Sequence, residues 1–190
     1  RSIRNYTNEN KLKNVETSDL KKIIEMTTGQ NLDWFFKQWL YEPGFPNYDV
    51  SWNYNQRKKE LSIHVKQTQD LKTTSLFKMP IKIIVDSGEK KEHVIWVDNL
   101  DSVYKIKSDK RPKMVIFNSG QRVPSNLKMQ KSVADLKYQL QNASNALDRI
   151  WSAKELSKKK GRKVVEYALM EAAKNDPFWA VRSEAYSALG

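Results

Sequence analysis

The sequence predicts an α+β multi-domain chain: a short helical region, then an antiparallel β-sandwich, then a second helical region. Three observations carry this. Apolar residues recur with a period of 3.6 before Pro46, with a period of 2 from Tyr48 to Gly120, and with the helical period again towards Gly190. Proline and glycine punctuate both changes, at Pro43-Gly44-Phe45-Pro46 and at Gly120 with Pro124. The middle stretch is also rich in β-branched and aromatic residues, which suit strands. The predicted domains are residues 1–47, 48–120 and 121–190.

In the first region, residues 1–16 are polar, with apolar side chains only at Ile3, Tyr6, Leu12 and Val15, and predict a segment that frays. Thr17 is the expected cap of a helix with Leu20, Ile23 and Ile24 on one face, closed by Gly29 in a left-handed conformation. A second helix follows over residues 32–40, capped by Asn31, with Asp33 at the positive end of the dipole. Leu32, Phe35, Phe36, Trp39 and Leu40 form one apolar stripe on it. Pro43 and Gly44 stop this helix, and Pro46 holds Phe45 extended, so that the chain leaves as a strand. Two short helices cannot bury both apolar faces alone. Trp34, Phe35 and Trp39, with Gly44 and Pro46 at the joint, are therefore the expected inter-domain anchor.

The run T-S-D-L at residues 17–20, T-G-x-x-L-x-W-F-F-x-x-W-L at residues 28–40, and P-G-F-P at residues 43–46 resembles the end of the catalytic domain of the zinc aminopeptidases related to aminopeptidase N. In that family such a segment closes a thermolysin-like domain and a β-sandwich follows directly. The resemblance implies a parent protein that removes N-terminal residues from peptides with zinc-activated water and a glutamate base. The chain itself holds no H-E-x-x-H, no G-x-M-E-N and only two histidines, His64 and His93. No catalytic residue, cofactor site or metal ligand is expected in it, zinc belonging to the parent. Arg1 rather than Met opens the sequence, which fits a piece downstream of the active site. The expected partners are the catalytic domain of the same polypeptide and, through it, peptide substrate.

In the middle region, Val50, Trp52 and Tyr54 alternate with polar residues, and after a turn over residues 55–58 so do Leu61, Ile63 and Val65. A third strand runs from Met79 to Val85, where Pro80 predicts an edge or a bulge. Asp86-Ser87-Gly88-Glu89 is a hairpin turn with Gly88 at positive φ. Residues 92–97, 103–106 and 114–117 supply three more strands. His64 falls on the polar face of its strand. His93 shares a face with Ile95 and Val97 and reads as a half-buried histidine rather than a ligand.

The last region predicts four helices. Their stripes are Val133, Leu136 and Leu140; Ala146, Leu147, Ile150, Ala153 and Leu156 behind an Asn145 cap; Val164, Val165, Ala168, Leu169, Ala172 and Ala173; and Val181, Ala185 and Leu189 after Phe178. A loop lies over residues 158–161. Arg149 and Arg182 stand 33 residues apart, each with an apolar residue seven positions on. The piece N-D-P-F-W-A-V-R-S-E-A-Y-S-A-L-G resembles a HEAT-type repeat, in which the arginine caps or bridges to its neighbour; some bacterial zinc aminopeptidases end in such an array. An ordinary four-helix bundle is the plainer alternative, and further repeats are expected beyond Gly190.

The 34 Lys and Arg against 22 Asp and Glu give a net charge of +12, which raises a nucleic-acid reading. Basic residues cluster over residues 105–113 and 158–163, yet no RNP pattern, zinc finger or helix-turn-helix signature accompanies them, and over most of the chain lysines alternate with acids. A solvated basic face is expected instead. No apolar run reaches the ~20 residues of a membrane span, and zero cysteines exclude disulfides while leaving the compartment open. The function expected is that of a non-catalytic C-terminal region of a metallo-aminopeptidase-like protein, shaping or capping the active-site cavity. A catalytically inactive protein–protein interaction module is the alternative, and a basic nucleic-acid-binding module the third choice.

Overall fold

The computed structural model describes residues 1–159 and 161–190; Lys160, within the predicted loop over residues 158–161, lies outside the described residues. The chain divides into two compact units, Arg1–Phe45 with Asp70–Ser75, and Pro46–Gln69 with Leu76–Gly190.

The first unit holds α1 (Ser2–Glu9), α2 (Thr17–Thr28) and α3 (Asp33–Phe36). α1 is a helix where polarity predicts fraying, and it leans on α2 through Asn5 Nδ2, which donates to Thr27 Oγ1 at 3.3 Å. α2 closes on Gly29 at φ +70°. Its cap is Glu16, not Thr17, because the Asp19 carboxylate reaches back to the Glu16 amide at 2.9 Å and starts the turn one residue earlier. Leu32 rather than Asn31 caps α3, although Asn31 Oδ1 still accepts the Asp33 amide at 3.0 Å. The predicted α-helix over residues 32–40 is α-helical only to Phe36. Lys37–Tyr41 winds as a π-helical turn, the Glu42 amide donating to the Lys37 carbonyl at 3.0 Å. The wider turn rotates later residues off the predicted stripe: Phe36 and Gln38 are buried, while Leu40 is exposed. Gly44 sits at φ +91°, and a Cβ there would lie 2.5 Å from Thr74 Oγ1, so glycine is required on both counts.

The second unit begins with a sandwich of β1 (Asn47–Asn55), β2 (Glu60–Gln67), β3 (Met79–Asp86), β4 (Lys90–Val97), β5 (Asp101–Lys107), β6 (Met114–Phe117) and β7 (Asn126–Met129). One sheet has the order β5-β2-β1-β7 and the other β4-β3-β6. Every pair is antiparallel except β1 with β7. The period-2 residues Val50, Leu61, Ile63, Val65, Ile81, Ile83, Val85, Ile95 and Val97 all face inward and are buried. Tyr48 meets Phe117 of the other sheet edge-on, with centroids 5.2 Å apart. β3 is central rather than an edge, but Pro80 pairs only with Trp96 of β4, because β6 joins from Ile83 onward. β7 is not predicted, and it carries the sheet past residue 120.

Four helices complete this unit: α4 (Val133–Asn142), α5 (Ala146–Ser157), α6 (Lys163–Asn175) and α7 (Trp179–Leu189). Asn145 caps α5, its Oδ1 accepting the Leu147 amide at 2.8 Å, and Ser132 caps α4 by accepting the Asp135 amide at 3.1 Å. α4 pairs with α5 and α6 with α7, and α5 also packs against α7. Leu136, Leu140, Ala153, Leu156, Val165, Leu169, Val181 and Ala185 form their shared core. Leu147 and Val164, assigned above to the stripes, are exposed. Each neighbours a residue that does face inward, Ala146 and Val165, and adjacent helical positions point about 100° apart.

The Tyr48 hydroxyl is buried and has no hydrogen-bond partner among the described residues. Tyr48→Phe is expected to raise stability by about 1 kcal/mol in urea unfolding, since it removes an uncompensated polar group and keeps the ring. A loss of stability would show that the hydroxyl is paired.

Candidate functional site

Trp34, Phe35 and Trp39 all lie in the first unit and are half-buried. Trp34 and Phe35 meet edge-on with centroids 5.8 Å apart, and Phe35 meets Phe36 in the same way. This unit leaves Met26 74% and Tyr41 69% exposed, together with Ile3, Leu12, Leu40 and Phe45. Pro46 opens the second unit, buried, its carbonyl accepting the Asn126 amide at 3.1 Å and so helping to seat β7 beside β1. Gly44 holds the turn before it.

Arg149 and Arg182 sit at equivalent places on α5 and α7. Nη1 of Arg149 donates to the carbonyls of Ala143 and Ser144 at 2.9 and 3.3 Å. Nη1 of Arg182 donates to those of Asp176 and Pro177, at the same two offsets and the same distances. Each arginine thus ties down the bend that precedes its own helix, satisfying carbonyls at the end of the helix before. Arg149 also grips the Asp176 carboxylate at both oxygens, Nε to Oδ2 at 2.7 Å and Nη2 to Oδ1 at 3.0 Å. That bidentate pair is buried and links the two hairpins.

A polar cluster that the sequence does not mark joins the sandwich to α4 and α5. Lys131 Nζ is deeply buried, donates to the Val115 carbonyl at 2.5 Å and to Gln139 Oε1, and lies 5.4 Å from the Trp151 ring centre. Asp148 accepts from Ser119 Oγ at 2.6 Å and from the Gly120 amide at 2.9 Å, while Gln139 Nε2 donates to the Asp148 carbonyl. Lys131, Gln139, Asp148 and Trp151 line a cavity of about 410 Å³ between the sandwich and the helices. Burial lowers the Lys131 amine from its ordinary 10.5 to about 7, against the opposing pull of Asp135 and Asp148. In a chain this rich in lysine no local pattern singles it out; only the fold does.

Among the described residues no three His, Asp or Glu side chains converge into a set that could hold a metal ion. His64 pairs with Asp101 at 2.5 Å on the outer side of β2 and β5, and His93 lies half-buried on β4 in the other sheet. The two histidines do not come together.

No protein-family model matches the chain, and no curated protein matches it in sequence. Its fold does match a solved structure, that of Legionella pneumophila aminopeptidase A in complex with aspartic acid, with a TM-score of 0.77 over 97% of this chain. The fold is like that of part of this aminopeptidase. Identity is 19%, so the likeness is one of architecture, and the chain spans 23% of that aminopeptidase's length.

Two outcomes follow from the buried charges. Asp176→Ala leaves Arg149 unpaired inside the protein and is expected to cost about 3–5 kcal/mol. Adding Arg149→Met should recover part of that loss, a non-additivity readable in urea unfolding. For Lys131, the folded pKa lies below the unfolded one, so between about pH 7 and 10.5 the unfolded chain binds the extra proton. Stability should therefore rise with pH across that window, by at most about 5 kcal/mol relative to Lys131→Met, and the difference should be flat below it.

Proposed function

We propose that this chain is a non-catalytic region of a zinc metallo-aminopeptidase-like protein, where it walls or caps the cavity in which peptides lose their N-terminal residues. The observation that carries the reading is the likeness to an aminopeptidase over nearly the whole chain, joined to the order T-G…W-F-F…W-L…P-G-F-P at its start. The first unit supports it as well. A few dozen residues with this much exposed Leu, Met, Phe and Tyr present the kind of surface that another body covers. The partner in this reading is the catalytic domain of the same polypeptide, anchored on Trp34, Phe35 and Trp39.

The matched bonds of Arg149 and Arg182 support reading α4–α7 as two HEAT-like hairpins rather than an unrelated four-helix bundle. The shared position, the shared carbonyl offsets and the carboxylate link between hairpins are what a repeating unit supplies.

The chain alone is expected to release no p-nitroaniline from aminoacyl p-nitroanilides, with or without added zinc. The coding sequence upstream of Arg1 is expected to contain H-E-x-x-H followed by a distant glutamate. Chelator-sensitive hydrolysis by the chain itself, or an upstream sequence without that signature, would overturn the reading.

A further inference from the structure

Three turns of the sandwich meet at one end and enclose a cleft of about 600 Å³, a size typical of small-ligand sites. The β1–β2 turn contributes Lys58 and Lys59, the β3–β4 turn Glu89, and the β5–β6 loop Asp109 and Lys110; Lys91 and His93 of β4 and Lys107 of β5 complete the charged lining. Five lysines thus face two carboxylates. Lys59 is held by Asp109 at 3.2 Å, and Lys91 reaches Glu89 only at 3.5 Å. Lys107 reaches Glu60 only at 3.9 Å. Lys58 and Lys110 form no ion pair among the described residues. An excess of positive charge in a concave wall focuses the field into the cleft.

The turns are fixed to one another rather than merely adjacent. The Ser108 amide donates to the Lys59 carbonyl at 2.9 Å, Ser87 Oγ meets Ser108 Oγ at 2.7 Å, and Tyr54 Oη donates to the Ser108 carbonyl at 3.0 Å. The Lys113 amide closes the same corner on the Asp86 carbonyl at 2.7 Å. Such bracing fixes the backbone from which the lysines project, so that less backbone ordering opposes an incoming anion. Among the described residues no Phe, Tyr or Trp side chain lines the cleft. The stacking platform that a single-stranded nucleic acid uses is missing there.

We propose that this cleft is a binding site for a compact, multiply charged phosphate anion, an oligophosphate free or at the end of a larger molecule. This site is independent of the peptidase-related reading. Its occupant is recognised by charge density rather than by a base or a ring.

Calorimetric titration of the 190-residue chain with inorganic tripolyphosphate tests this. One-to-one binding is expected, several-fold weaker at about 200 mM than at about 50 mM salt. Lys58→Glu with Lys110→Glu should weaken it at least tenfold. Lys11→Glu with Lys13→Glu, an equal change of charge in the first unit, should leave it nearly unaltered. Both pairs are exposed, and circular dichroism verifies their folding; Lys91→Glu with Lys107→Glu is the second test of the cleft. The proposal is overturned if tripolyphosphate does not bind, or if both the cleft and control variants weaken it equally. It also fails if an oligonucleotide of about twenty residues binds tightly and tripolyphosphate cannot displace it.

Discussion

A helix shorter than about a dozen residues does not hold in water without something packed on it. That constraint bears on the first unit more than anywhere else in the molecule. α3 with its π-helical turn carries Trp34, Phe35, Phe36 and Trp39 within six positions, yet only Phe36 of these is fully buried. α1 and α2 add their own exposed apolar side chains. So small a unit has too little interior to cover its surface, and the proposed role follows from what would cover it.

The second unit obeys a different rule. Its sandwich and its helices each have an apolar core, and where they meet Met114 and Ile116 of β6 pack on Ala143 while polar bonds add direction to that contact. Lys131 spans from Val115 of β6 to Gln139 of α4. Asp148 of α5 draws in Ser119 and Gly120, and Tyr138 donates to Asp86 at 3.2 Å. Directional bonds of this kind fix orientation where apolar contact would allow sliding. Arg149 and Asp176 repeat the principle between the hairpins, with the further demand that neither be left alone in the interior.

Periodicity made the architecture legible. Strand after strand appears where Val50, Leu61, Ile83 and Ile95 alternate with polar neighbours, and Gly29, Gly88 and Asn145 take the conformations and bonds expected of them. The failures have physical causes. β7 shows only Leu127 and Met129 as apolar residues, too few to establish a period, and forms because a distant strand, β1, offers its edge. The π-helical turn inserts one residue into a helical count, which no pattern of 3.6 can reveal. α1 is stabilised by a partner, α2, rather than by its own sequence. Of the candidate sites, the arginines were visible through their spacing. Lys131 was not, since burial is a property of the fold. The basic cleft was only partly visible: Lys107 and Lys110 fall in the basic run over residues 105–113, but Lys58, Lys59 and Lys91 come from other parts of the sequence and only the fold brings them alongside.

Hydrogen exchange on the isolated chain tests the central claim most directly. Amides of α1, α2 and α3 should exchange through local opening, orders of magnitude faster than those of β2 and β3, which should open only with the whole second unit. Protection in α3 equal to that of β2 and β3 would contradict the account, because the aromatic helix would then be complete without another body.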